Sequence, residues 1–99
     1  MDIKKSIEGG KAVFKISGKV DTLTAPTLEK ELDEVFDTVE ALEFDLENLT
    51  YISSAGLRVL LTAHNTMEDK DGEMKVINVH PDVMEIFEIT GFDSILELD

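Results

Sequence analysis

The apolar residues of this chain change period several times, and each change predicts an element. "IKKSIE" and "KAVFKIS" are short, rich in strand-forming residues and separated by Gly9 and Gly10, which predicts a hairpin with a tight turn. "GKVDTLTAP" reads as a loop. Pro26 suits the first turn of a helix, with Thr24 as its cap. Leu28, Leu32, Val35, Phe36 and Val39 then recur at i, i+4, i+7, i+8 and i+11, one buried helical stripe. "ALEFDLENL" alternates, with Leu42, Phe44 and Leu46 on one side of a strand and Glu43, Asp45 and Glu47 on the other.

After the loop "TYISSAG", a second helix is predicted with Leu57, Leu60, Leu61, His64 and Met67 on one side, ending at Gly72 in the left-handed role. "EMKVINV" is a short strand. "HPDVMEIFEITGF" is a third helix, with Val83, Ile86 and Phe87 inward, Gly91 just past its end and Phe92 closing a hydrophobic contact behind it. "SILEL" is a last short strand or extended tail. Strand–strand–helix–strand–helix–strand–helix–strand implies right-handed crossovers and a partly parallel sheet with a hairpin at the front. Leu42, Phe44, Leu46, Leu57, Leu60, Leu61, Ile86 and Phe87 are the expected core.

Ninety-nine residues make one domain, 1–99, with room for a real core. No window is long and apolar enough for a bilayer, and "MDIKKSIEGG" is not a signal peptide. With no cysteine there is no disulfide framework and no thiol chemistry, in keeping with a cytoplasmic protein. Charge narrows the partners further: 22 acidic residues stand against 9 basic ones, a formal net charge of −13. Such a chain repels nucleic acid and anionic lipid, so neither is an expected partner. His64 and His80 are isolated and make no metal site; no phosphate loop, catalytic carboxylate pair or triad is visible, so no enzyme activity or cofactor is expected.

In the stretch "TYISSAGLRVLL", the small and polar "SSAG" is not needed to bury a core. It joins the carboxyl end of a strand to the amino end of a helix, where ligand and reaction sites collect in open α/β sheets. Ser53 or Ser54 is an obvious N-cap, one of the commonest uses of serine. The cap accounts for one serine, whereas Ala55 and Gly56 leave room for something to approach the other closely. On residue chemistry alone the two readings are even.

At this point the residues carry a resemblance. "LENLTYISSAGLRVLL" resembles the signature segment of STAS domains, specifically the bacterial anti-sigma factor antagonists. "ISGKVDTLTAPTLE" is similar to the family's first loop and helix, and "HPDVMEIFEITGFDSIL" to its closing segment, so the likeness runs in order through nearly the whole chain. It implies the STAS fold: a mixed sheet of four to five strands with three to four helices mainly on one face. It also implies a switch. The unphosphorylated antagonist binds an anti-sigma factor that is a serine kinase, sigma factor is released, phosphorylation of the antagonist ends the binding, and a PP2C-type phosphatase reverses it.

Gly56 fixes the register and places the phosphate acceptor on Ser54, with Ser53 as the fallback. Ser53 stands where the family motif has Asp, and Ala55 where it has Ser or Thr. Asp21 matches an Asp of the family's first loop and Asp45 a polar position at the end of the central strand; both are expected to flank Ser54. Asp21, Thr22, Ser53, Ser54, Gly56 and Arg58 form the expected partner surface, on a protein that is a monomer when free. One rival is a STAS docking module without a switch, supported by the missing motif Asp. Another is a carrier: an acidic domain with a serine at a helix start is similar to acyl carrier proteins, but those are all-helical and this chain has three strand-like runs.

Overall fold

The computed structural model describes residues 1–99. Its strands are β1 (Asp2–Glu8), β2 (Lys11–Val20), β3 (Ala41–Asp45), β4 (Leu49–Ile52) and β5 (Glu73–Ile77), and its helices are α1 (Ala25–Asp33), α2 (Ser54–Asp69) and α3 (Pro81–Thr90). A short 3-10 turn, Phe92–Ser94, follows α3. β1 pairs antiparallel with β2, while β2–β3, β3–β5 and β2–β4 are parallel. The sheet order is β1-β2-β3-β5, with β4 on the far half of β2. The mixed five-stranded sheet and edge hairpin match the fold expected from the pattern.

The alternation along β2 decides which face is covered. Ala12, Phe14, Ile16 and Val20 are buried, while Lys11 at the start of the strand and Lys15 and Lys19 further along are exposed. Leu42, Phe44, Met74 and Val76 continue the buried face across β3 and β5. β2 to β3 and β3 to β5 step the same way across the sheet, so right-handed crossovers put α1 and α2 on one face. α3 packs against β4 and adds Val83 and Phe87 to the same core of 24 residues. Phe14 and Phe44 meet at its centre with ring centroids 5.8 Å apart. The opposite face is polar and carries the Lys11–Glu43 ion pair at 3.1 Å.

Several expectations needed correction. The loop expected from Gly18 is still strand: β2 runs to Val20, with Gly18 at φ +85 marking a shift in its pairing. β4 was not visible in the sequence, because its four residues are buried only at the two ends and show no alternation. α1 stops at Asp33 instead of reaching Val39. Val35 and Val39 stay buried through turns, because the Lys70 ammonium donates to the carbonyl oxygens of Phe36 and Val39 in place of helical N–H groups.

Around α2 the buried face is Gly56, Leu57, Val59, Leu60, Ala63 and Met67, so Leu61 and His64 fall on its shoulder and are half-buried. Ile86 is also half-buried. The left-handed residue after α2 is Asp71, not Gly72; a Cβ on Gly72 would lie 2.8 Å from the Glu40 carbonyl oxygen. Gly91 is left-handed as expected, and Phe92 stacks on Phe87 behind it. "SILEL" forms no strand and touches the sheet through one bridge, Val76 with Leu98.

The seat of α2 rests on Gly56. A Cβ there would come within 2.6 Å of Ile52 Cγ1 and 2.8 Å of Val20 Cγ1, so only glycine lets the helix start this close to β2 and β4. Gly56→Ala is therefore expected to destabilise the fold by about 1–3 kcal/mol through overpacking, less any gain in helix propensity. Urea unfolding followed by circular dichroism checks this; unchanged or raised stability would show that the contact relaxes freely.

Candidate functional site

The candidate site is the end of the sheet where β2 and β4 both deliver their chain. Val20 pairs with Ile52 in register, and the Ser53 N–H donates to the Val20 carbonyl at 2.8 Å. The two strands therefore release two loops side by side: Asp21–Thr24 into α1, and Ser53–Ser54 into α2.

Ser53 is the N-cap of α2. Its backbone is extended, with φ −87 and ψ 175, and its hydroxyl oxygen accepts from the Gly56 N–H at 3.3 Å. That engages the half-buried Ser53 locally. Ser54 is the first helical residue, is exposed, and its hydroxyl bonds to no protein group. The two serines thus divide the roles that residue chemistry left even: Ser53 caps, and Ser54 is free.

The first loop is tied down by equally local hydrogen bonds. The Asp21 carboxylate accepts from the N–H groups of Leu23 at 2.9 Å and Thr24 at 3.0 Å, while the Thr24 hydroxyl accepts from the Asp21 N–H at 2.9 Å. Thr24 occupies the N-cap position of α1, but its hydroxyl turns back to Asp21 and caps nothing in the helix, contrary to expectation. The Thr24 N–H, then the Thr24 hydroxyl and the Leu23 N–H, hold the Asp21 carboxyl below the ordinary aspartate range. This turn displays Leu23, which is 87% exposed. Sequence reasoning missed Leu23; the available signal was an apolar residue set between turn-forming polar ones in "DTLT".

Beside the first loop, between the N-terminal parts of α1 and α2, lies a shallow groove of about 170 Å³, lined by Thr22, Ala25, Pro26, Glu29, Ala55, Arg58 and Val59. It brings Thr22 and Arg58 together. Gly56 is buried and is a packing residue, so its small size serves the helix seat and not an approaching group. Asp45 does not flank Ser54. It lies level with Lys15 while Ile52 lies level with Val20, five positions further along β2, roughly 16 Å at strand rise. Its carboxylate accepts from the Glu47 N–H at 3.1 Å and closes the turn between β3 and β4. His64 pairs with Glu68 at 3.0 Å, and His80 caps α3 by accepting from the Asp82 N–H at Nδ1. No three His, Asp or Glu side chains converge to hold a metal ion.

Because hydrogen bonds stabilise its ionised form, Asp21 has a folded pKa below its unfolded one. Its contribution is complete above the unfolded value and is lost as pH falls through the folded one. The stability advantage of the wild type over Asp21→Asn is thus expected at neutral pH and should vanish in strong acid. Unfolding both proteins across that range checks it; a pH-independent difference would mean that the charge is irrelevant.

Three comparisons bear on this arrangement. BtrV of Bordetella bronchiseptica, provisionally named an anti-sigma factor antagonist, is 40% identical over 87 residues, 87% of this chain and 75% of BtrV. The crystal structure of an anti-sigma factor antagonist from Mycobacterium paratuberculosis superposes with a TM-score of 0.87 at 28% identity, covering 98% of this chain and 83% of that one. SpoIIAA of Bacillus, an anti-sigma factor antagonist solved in unphosphorylated and phosphorylated forms, shares the fold with TM-scores of 0.86 and 0.79. The two forms are 16% and 15% identical to this chain, and each match covers 99% of it, against 88% and 91% of the SpoIIAA chains. The family model described as the STAS domain matches residues 2–99, and with it the sheet order and the paired loops find their place: the chain belongs to the STAS domain family.

Proposed function

We propose that this protein is an anti-sigma factor antagonist of the cytoplasm, a binding regulator without catalytic activity. In its unmodified form it binds an anti-sigma factor that is also a serine kinase, and sigma factor is released. Phosphorylation of Ser54 ends the binding, and a PP2C-type phosphatase restores it. The observation that carries this reading is the free, exposed Ser54 hydroxyl on the first turn of α2, beside a second loop tied down by Asp21.

In the transfer, the Ser54 Oγ forms a bond to the γ-phosphorus of ATP, the bond to the bridging oxygen breaks, ADP leaves, and the hydroxyl proton passes to a base of the kinase. The product carries about −1.5 to −2 charge and three acceptor oxygens. Within the domain that charge meets the positive end of α2 and is tolerated. Against a partner surface built for a hydroxyl it adds bulk and an unpaired charge costing several kcal/mol, where each 1.4 kcal/mol is about tenfold in affinity. One phosphate can therefore end binding without any rearrangement of the fold.

Leu23 belongs to the same surface. An isolated leucine this exposed gains most when a partner covers it, and fully burying such a side chain contributes about 1.5–3 kcal/mol. Acidic residues crowd the exposed sides of α1 and α3, which suits a partner with a basic contact surface. The competing reading, a docking module without a switch, draws on Ser53 in place of the motif Asp.

Incubation with the cognate kinase and ATP, followed by phosphopeptide mass spectrometry, tests the proposal. Phosphate is expected on Ser54, absent in Ser54→Ala, and retained in Ser53→Ala. Ser54→Ala should still bind the kinase, whereas Ser54→Asp should bind more weakly. Phosphate on Ser53 alone would move the acceptor by one residue, and phosphate nowhere with ATP-independent binding would leave the docking module. Leu23→Ala should weaken partner binding about tenfold or more while leaving the unfolding transition unchanged. Unaltered affinity by calorimetry would remove Leu23 from the interface.

A further inference from the structure

Arg58 is the only arginine in the chain. It sits four residues after Ser54 on α2, and both side chains are exposed. Residues at i and i+4 lie one above the other on a helix, with Cβ atoms about 5–6 Å apart, well within the reach of an arginine side chain. Among so many carboxylates, Arg58 makes no ion pair within 4 Å and no hydrogen bond, although Glu29 lines the same groove; the ion pairs of the molecule use Lys5, Lys11, Lys75 and the two histidines. The guanidinium therefore stands uncommitted, one turn from the serine. Its planar fork of donors fits phosphate oxygens two at a time, better than any ammonium does.

We infer that Arg58 is an intramolecular clasp for phosphate on Ser54: the modified serine and the arginine close on each other along the face of α2. The inference rests on the reading of Ser54 as the acceptor. It adds a second effect to phosphorylation, because the event that introduces a dianion also withdraws the one guanidinium from the partner surface. Other charged groups surround the site. Asp21 is occupied by its own turn and opposes the phosphate, Glu29 opposes it from α1, and Lys19 is an exposed cation at the end of β2. Lys19 is the rival clasp, carried on a strand and not in helical register with Ser54.

Partner binding is an ambiguous readout, since Arg58 is expected to touch the partner as well. The test is therefore made on the isolated protein, with phosphoserine incorporated at position 54 during synthesis. Phosphorus NMR follows the second ionisation of the phosphate, whose pKa is about 6 when unperturbed. A clasp favours the dianion, so R58Q should raise the proton affinity of the phosphate roughly twofold to fivefold, R58K should raise it less, and added salt should shrink the difference. K19Q should leave the midpoint near that of the wild type. Equal midpoints in wild type and R58Q, or a shift confined to K19Q, would overturn the clasp. Unmodified R58Q, altered only at an exposed position, should keep the wild-type unfolding transition, so a shift cannot be assigned to misfolding. Because the phosphoserine is built in, this outcome does not depend on the kinase assay, and the clasp and the switch can fail separately.

Discussion

The short distance between the start of α2 and the ends of β2 and β4 governs everything at the site. The Ser53 N–H donates to the Val20 carbonyl at 2.8 Å, and Gly56 carries no Cβ to meet Ile52 and Val20. These two facts fix the first turn of the helix on the sheet. They hold Ser54 on the surface beside the Asp21 turn, and they leave the hydroxyl of Ser53 to the Gly56 N–H. A larger residue at position 56 would lift the helix and separate the two loops.

The domain divides its labour accordingly. The buried face of the sheet and the inner faces of the helices are apolar, with no buried polar or charged residue in the core. All the polar chemistry of the site lies at the chain crossings, where backbone groups at the ends of elements need partners. Asp21, Thr24 and Ser53 supply them. Their hydrogen bonds tie both loops to the ends of the strands, and under the proposed switch one added phosphate would change affinity without a change of fold.

Much of this was legible in the sequence. The alternation in "ALEFDL" and the stripe from Leu28 to Leu32 gave the sheet face and α1, and Gly91 with Phe92 gave the end of α3. The Ser53–Ser54 pair located the site, but which serine caps depended on a single hydrogen bond that no pattern encodes. β4 stayed hidden because a short strand filling a gap beside β2 needs no alternation of its own. The turns after Asp33 read as helix because Val35, Phe36 and Val39 keep helical spacing; the lysine that donates to the Phe36 and Val39 carbonyls lies more than thirty residues away. Gly56 was read from its size alone, and the contact that demands it appears only once Val20 and Ile52 are paired. Asp45 was placed by likeness, and the register of β3 on β2 moves it down the strand.

The central claim is that a single phosphate on Ser54 abolishes partner binding while the fold stands still. Titration calorimetry of the anti-sigma factor kinase with the unmodified and the Ser54-phosphorylated protein tests it directly, paired with amide NMR spectra of both forms. The account predicts an affinity loss of at least about a hundredfold, equivalent to roughly 2.7 kcal/mol, with spectral changes confined to the Asp21 turn and the first turns of α2. Equal affinity of the two forms, or spectral change spread across the β-sheet core, would contradict it.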